Sequence, residues 1–210
     1  MIRIMIADDH AIVRQGLAKI LEKNGEMKDV AEHDNGVDAL NWIRAHDCDV
    51  ALIDISMPGM NGIELLKQLR EVKPHLPVLV VSIYAEDQYA VRLIKAGASG
   101  YLTKGCSPAT LLKAVARVAS GKKYISPAVS EMLADEVGAP NGKVSHEILS
   151  DREYQIFMLL ASAKTVAEIA ESLALSGKTI STYRGRILEK MHLRNNAELM
   201  RYAVDKNLLQ

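Results

Sequence analysis

A doubly wound α/β domain of five parallel strands, followed by a separate all-α domain of four helices, is the fold class this 210-residue sequence predicts. Two observations carry the prediction. Between residues 2 and 121, short apolar runs that end on polar residues alternate five times with helical patterns, as in a parallel sheet covered on both faces and joined by right-handed crossovers. Beyond residue 148 the apolar runs stop, and helix-start signals and helical spacing continue alone.

Each strand-helix pair can be justified in turn. Residues 2–7 are an apolar strand ending on Asp8-Asp9, and Ile12, Val13, Leu17, Ile20 and Leu21 then describe a helical face. A weaker strand near 29–32 precedes a helix carrying Val37, Leu40, Trp42 and Ile43. Val50, Ala51, Leu52 and Ile53 form a fully apolar strand that stops on Asp54. Pro58-Gly59 and Asn61-Gly62 punctuate the loop that follows, and Ile63, Leu65, Leu66, Leu69 and Val72 resume helical spacing. Residues 77–82 are a strand ending on Ser82, with a helix over 86–96. Tyr101-Leu-Thr103 runs into Lys104, with a closing helix through Leu111, Leu112, Val115 and Val118. In the flavodoxin-like order 2-1-3-4-5, strands 1 and 3 flank the point where the winding reverses, and ligands bind at the carboxyl ends of the strands there. That order brings Asp8, Asp9 and Asp54 together, with Ser82 and Lys104 supplied by strands 4 and 5.

Composition and charge narrow the function. With 49% hydrophobic and 25% charged residues the chain is ordinary globular material, enough for two small domains. No basic segment followed by an apolar one opens it, and no apolar run approaches the roughly 20 residues of a membrane span. A cytoplasmic protein without a membrane partner is expected. Cys48 and Cys106 stand far apart, outside any CxxC or Cys/His cluster, so neither a disulfide nor a structural zinc is indicated. Cys106, near Lys104, reads as an ordinary thiol. Lysine plus arginine and aspartate plus glutamate balance at 26 each, so total charge proposes no nucleic-acid partner. Its distribution does: residues 176–201 hold six bases (Lys178, Arg184, Arg186, Lys190, Arg194, Arg201) against two acids, Glu189 and Glu198.

Three crowded carboxylates repel one another unless a cation neutralises them. Hard oxygen donors with room left for water and a phosphoryl oxygen suit Mg²⁺. An aspartate beside such an ion can attack an activated phosphate and become an acyl phosphate. Ser82 could then hydrogen-bond the phosphoryl group and Lys104 pair with it. Taken singly, each residue has an ordinary reading: a helix cap for Asp8 or Asp9, a turn for Ser82, a surface charge for Lys104, core packing for Tyr101. Their joint placement at four strand ends makes the site.

Residues 1–121 resemble the receiver domain of bacterial two-component response regulators. The likeness rests on Asp8-Asp9 after the first strand, Asp54 in the stretch Asp54-Ile-Ser-Met57-Pro-Gly-Met-Asn-Gly62, the hydroxyl of Ser82, and Tyr101 three residues before Lys104. Residues 148–210 resemble the LuxR-type helix-turn-helix, through Leu149-Ser-Asp-Arg-Glu153 and the pattern of residues 176–191. Together they place the chain with the NarL/FixJ-type regulators. The resemblance implies phosphorylation of Asp54 by a sensor histidine kinase or a small phosphodonor. It also implies Mg²⁺ on Asp9, Asp54 and the backbone carbonyl of Ser56, with Asp8 acting mainly through water. Three positions depart from the common pattern: Gly105 follows Lys104 where many receivers have proline, Ser181 stands where relatives often carry Lys or Asn, and Tyr183 where they often carry His.

The output half is legible in its caps. Ser150 with Glu153, and Thr165 with Glu168, are capping boxes, and Ser176 opens a third helix after the tight connection Leu173-Ala-Leu175. A fourth helix is expected over 196–206. Two short helices so closely joined outline a helix-turn-helix. On the third, Ile180, Tyr183, Ile187 and Leu188 should pack inward, leaving Lys178, Ser181, Thr182, Gly185 and Arg186 outward, with Thr179 beside them. Arg184 and Lys190 flank that face as candidate phosphate contacts. Residues 122–147 read as a linker with a short helix at Val129, Met132 and Leu133 and a turn-rich end, Gly138-Ala-Pro-Asn-Gly142.

The function expected is therefore a phosphorylation-controlled transcriptional regulator rather than an enzyme. Phosphoryl-Asp54 would draw Ser82 inward, Tyr101 would follow, and the altered surface would release the DNA domain or favour a homodimer on promoter DNA. A Mg²⁺-dependent phosphatase with an aspartate nucleophile is the enzymatic alternative, but such enzymes need a second aspartate two residues on, where this chain has Ser56. A protein-interaction module without DNA binding is the other, and the local basic excess argues against it.

Overall fold

Leu52, at the centre of β3, has strands on both sides and helices over both faces, which is why a continuous apolar run is stable there. The computed structural model describes residues 1–25, 27–138, 145–206 and 208–209, in two compact units, Met1–Glu136 and Val137–Gln210. The first is built from β1 (Ile2–Ala7), α1 (Ala11–Glu22), β2 (Met27–His33), α2 (Gly36–Ala45), β3 (Val50–Ile53), α3 (Gly62–Val72), β4 (Val78–Ser82), α4 (Glu86–Lys95), β5 (Gly100–Thr103) and α5 (Pro108–Ala119). α6 (Pro127–Gly138) follows. All strand pairs are parallel and their order is β2-β1-β3-β4-β5, as the sequence predicted.

The two faces of the sheet follow the period-2 alternation of its strands. Ile4, Ile6, Val50, Leu52, Leu79, Val81 and Leu102 form one core with Ala18 and Leu21 of α1 and Leu111, Ala114, Val115 and Val118 of α5. The alternate residues Met5, Ala51, Ile53 and Val80 are equally buried on the opposite face. Register then fixes the mouth. Ala7 pairs with Ile53, so β1 and β3 end level, and the amide of Asp54 donates to the carbonyl of Ala7 at 2.8 Å.

Helix starts follow the local signals. Asn35 and Asn61 cap α2 and α3 by accepting from the amides of Asp38 and Glu64, and Ser107 caps α5 with Pro108 at its first position. Three expected core positions lie outside. Ile12 is 88% exposed, and Val37 and Val72 are partly so. Val13, Leu17, Ile20 and Leu21 keep the i, i+4, i+7, i+8 spacing of one face, and Ile12 sits about 100° away from it.

The stretch read as the start of a linker is packed. Tyr124 lies against the core of the first unit and Val129 of α6 is buried. Residues 139–144, which include most of the predicted turn-rich end, lie outside the described residues.

The second unit opens with a single 3₁₀ turn, Ser145–Ile148, followed by α7 (Asp151–Ala161), α8 (Val166–Ser172), α9 (Gly177–Lys190) and α10 (Asn196–Asp205). Both capping boxes are present, and Ser176 caps α9. Ile156, Phe157, Leu160, Ile169, Leu173, Ile180, Ile187 and Leu199 are its buried centre. The turn between α8 and α9 closes through Ala174, whose φ is 51°, with the amide of Leu175 donating to Ala170 at 2.9 Å.

Candidate functional site

The level ends of β1 and β3 bring Asp8 and Asp54 to one pocket, both almost wholly buried, and β5 delivers Lys104 between them. Its Nζ lies 2.8 Å from Asp8 Oδ2 and 2.9 Å from Asp54 Oδ2. The backbone seats that lysine, since the amide of Lys104 donates to the carbonyl of Ser82 at 2.7 Å. The other Asp54 oxygen, Oδ1, accepts from the amide of Ile55 at 2.7 Å. Burial pushes the Asp54 carboxyl above its usual value, with Asp8 adding to that push while Lys104 and the Ile55 amide oppose it. Burial alone would weaken the hold of Lys104 on its proton, but the two carboxylates outweigh it and its pKa is raised.

Asp9, half-exposed, completes the acidic group together with a residue the sequence reading passed over, His10. Ligand atoms of Asp8, Asp9, His10 and Asp54 all lie within 4.8 Å of one another. His10 Nδ1 stands 2.7 Å from Asp9 Oδ1, and the His10 amide donates to Asp8 Oδ1 at 2.9 Å. The signal for His10 was its place next to the aspartate pair. Three carboxylates face one ammonium here, so the donor set, hard and net negative, fits a divalent cation such as Mg²⁺.

A glycine-dependent feature was missed as well. A Cβ on Gly62 would lie 1.9 Å from the carbonyl oxygen of Asp54 and 2.8 Å from its carbonyl carbon. The sequence marked Gly62 as a turn residue; in the structure it is where the start of α3 presses against the backbone of the pocket's own aspartate.

Ser82 is buried, and its hydroxyl accepts from the amide of Tyr84 at 3.3 Å. Tyr101 is only 2% exposed, and its hydroxyl donates to the carbonyl of Tyr84 at 2.8 Å. Tyr101 thus stands in an inward position, where Tyr84 offers its hydroxyl a carbonyl partner. Burial raises the pKa of both tyrosines, so both stay neutral. Half-buried Ser56 places its Oγ 3.3 Å from the hydroxyl of Tyr84. Both cysteines are free, and burial pushes the Cys48 thiol up to about 11.

On α9, Ile180 and Ile187 point inward, and Lys178, Ser181, Thr182, Gly185 and Arg186 are exposed. The Ser181 and Thr182 hydroxyls donate to Gly177 and Lys178 carbonyls at 2.9 and 3.0 Å, and Thr179 lies 2.8 Å from the capping hydroxyl of Ser176. Arg184 and Lys190 are not free cations. Arg184 Nε donates to Asn196 Oδ1 at 2.6 Å, tying α9 to α10, and Lys190 Nζ donates to buried Glu153 Oε2 at 2.7 Å, tying α9 to the start of α7. Sequence alone could not show these partners, which lie 12 and 37 residues away.

The Glu153 contact has a testable consequence. Burial would raise this carboxyl's pKa, but Lys190 and the Ser150 cap outweigh it and hold it below the usual value near 4.5. A depressed carboxylate stabilises the fold above its unfolded pKa and loses that contribution as pH falls through its folded one. Glu153→Gln is therefore expected to cost about 1–2 kcal/mol at pH 7. The gap should close as pH drops below about 4, read by urea unfolding with far-UV circular dichroism.

A doubly wound sheet with an acidic pocket at its switch point, joined to a capped helix-turn-helix, defines a receiver coupled to a nucleic-acid-binding output module. The chain belongs to the response regulators of the NarL/FixJ type. Residues 4–116 match the response regulator receiver domain, and residues 147–203 match the bacterial regulatory proteins of the luxR family. Response regulator GacA of Pseudomonas aeruginosa is 38% identical over 205 residues, 97% of this chain and 96% of that protein. Response regulator UvrY of Escherichia coli K12 is 33% identical over 209 residues, 99% and 96% of the two chains. Among solved structures, RcsB of Salmonella enterica serovar Typhimurium, bound to promoter rprA with the phosphomimetic BeF₃⁻, is similar at a TM-score of 0.64 and 27% identity. That match covers 96% of this chain and 97% of RcsB.

Proposed function

We propose that this chain is a transcriptional regulator whose DNA binding is switched by a phosphoryl group on Asp54. The observation that carries the reading is the Asp54 carboxylate, buried at the mouth between Lys104 and Asp8. A phosphohistidine of a sensor kinase, or a small acyl phosphate, is the donor. An Asp54 oxygen attacks phosphorus, the bond to the imidazole or acyl oxygen breaks, and the leaving group departs as Asp54 becomes an acyl phosphate. Asp9, Asp54 and the Ser56 carbonyl would hold Mg²⁺, with Asp8 behind water, and the ion would offset the charge on the phosphoryl oxygens. Lys104 would then transfer its contact from the carboxylates to the phosphoryl group, and Ser82 would donate to it.

The output is duplex promoter DNA, and the partner in that state is a second copy of the chain. The exposed face of α9, Lys178, Ser181, Thr182 and Arg186, has the donors a recognition helix presents to the major groove. Thr179 serves the helix start, while Arg184 and Lys190 hold the unit together and can reach phosphates only from those anchored positions. A dimer would read half-sites about 10 base pairs apart or a multiple. No helix among the described residues is long and apolar enough to cross a membrane. A cytoplasmic location is the one that suits a DNA-directed role.

The DNA half of the proposal is tested by salt dependence. Arg186→Ala is expected to lower the slope of log K against log salt by about 1, as loss of one phosphate contact does. Lys190→Met is expected to leave the slope nearer wild type and weaken the fold instead. The reverse pattern would move the interface off the face of α9.

A further inference from the structure

The segment that leaves the first unit is held at two places outside the acidic pocket. Tyr124 bridges in parallel to Gly100 at the edge of β5, its amide donating to the carbonyl of Ser99 at 2.8 Å. A Cβ on Gly100 would lie 2.7 Å from the carbonyl oxygen of Tyr124, so glycine is what allows so close an approach. Arg117 Nε adds a bond to the carbonyl of Lys123 at 2.7 Å. Two residues further on, Ser126 starts α6: its Oγ accepts from the amide of Val129 at 3.2 Å and donates to the carboxylate of Glu86, the first residue of α4.

Glu86 is not an arbitrary anchor. It stands two residues after Tyr84, and the residues around the pocket meet on Tyr84. Tyr101 donates to its carbonyl, Ser82 accepts from its amide, and Ser56 donates to its hydroxyl. Any rearrangement of Ser82 or Tyr101 therefore moves the backbone that carries Glu86. We propose that the Glu86–Ser126 hydrogen bond is the link by which the state of the Asp54 pocket is passed to α6, the last helix before the output unit. The inference rests on the switch proposed above. The hydroxyl of Ser126 suits the task because it does two things at once, donating to Glu86 while accepting from the first turn of α6. Losing the carboxylate untethers the helix start without removing its cap.

The test uses the full-length chain carrying Glu86→Ala, Ser126→Ala, the double substitution, or Glu86→Gln, whose side-chain oxygen still accepts from Ser126. Hydrogen exchange of the α6 amides is read first. Both single alanine variants are expected to exchange about tenfold faster than wild type near Val129, with Glu86→Gln close to wild type. DNA affinity is then compared with and without beryllofluoride and Mg²⁺, while fluorine NMR checks that beryllofluoride still binds. The ratio of the two affinities is expected to fall about fivefold or more in both alanine variants, and no further in the double one, as for two residues acting through one contact. Unchanged α6 exchange in Glu86→Ala overturns the link whatever the DNA does, as does a wild-type affinity ratio in both alanine variants. A wild-type chain that shows no beryllofluoride effect on DNA would instead refute the switch, leaving α6 exchange to decide the contact itself.

Discussion

Gly62→Ala is expected to impair phosphoryl acceptance severely while Gly16→Ala, in the same unit, is expected to be harmless or stabilising. A Cβ at residue 62 would meet the Asp54 carbonyl oxygen at 1.9 Å, and both partners of that clash are backbone. No rotamer change relieves it, so either α3 or the end of β3 has to move. Overpacking of a tight core costs about 1–3 kcal/mol, and the absence of any flexible atom puts this site at or above the top of that range. The atom displaced belongs to the phosphoacceptor itself, so acetyl phosphate labelling should drop at least about tenfold, as angstrom-scale misplacement at a reacting centre does. Gly16 lies within α1 with nothing within 4 Å of its added Cβ, and alanine there should gain about 0.5–1 kcal/mol. Trp42, the one tryptophan, reports urea unfolding of the first unit for both variants.

Lys104→Met is the second large effect. The lysine is the ammonium between Asp8 and Asp54, and it is itself mostly buried. Removing it leaves two buried carboxylates facing one another. Breaking a buried pair costs about 3–5 kcal/mol, and the opening of this pocket to solvent at the sheet edge lowers the expected loss to about 2–3 kcal/mol. The size of the loss should depend on Mg²⁺, because a cation that binds only the folded pocket stabilises it by mass action. The variant is expected to gain more stability from millimolar Mg²⁺ than the wild type does, and to lose the output response even when labelled. Equal stability of the two proteins in metal-free buffer would mean that Lys104 is not what compensates those carboxylates.

The strand ends were legible because the physics that places them is simple. An apolar run that halts on a polar residue must put that residue at the sheet's edge, and the reversal of winding between β1 and β3 puts Asp8, Asp9 and Asp54 at one mouth. Capping residues such as Ser150, Thr165 and Ser176 were legible for a similar reason, since a cap and its helix are neighbours in sequence. What sequence left hidden depends on contacts between distant segments. Ile12 looked like core until the face set by Val13, Leu17 and Leu21 excluded it. Gly62 looked like a turn residue, although its necessity comes from the backbone of Asp54. Lys190 looked like a free cation, although Glu153 holds it. The partner of the Tyr101 hydroxyl, the carbonyl of Tyr84, was equally hidden, and it directs attention to the Tyr84 backbone. The packing of Tyr124 against the core of the first unit and the burial of Val129 were invisible in a stretch whose periodicity lapses.

The central claim is that phosphorylation of Asp54 controls DNA binding by α9. The most direct measurement is the affinity for promoter fragments, with mass measured by light scattering, for the wild type and Asp54→Ala, each with and without acetyl phosphate and Mg²⁺. Acetyl phosphate should drive dimerisation and tighten DNA binding in the wild type and do neither in Asp54→Ala. Equal binding and equal mass in all four conditions would contradict the account and leave the acidic pocket without a part in regulating the output unit.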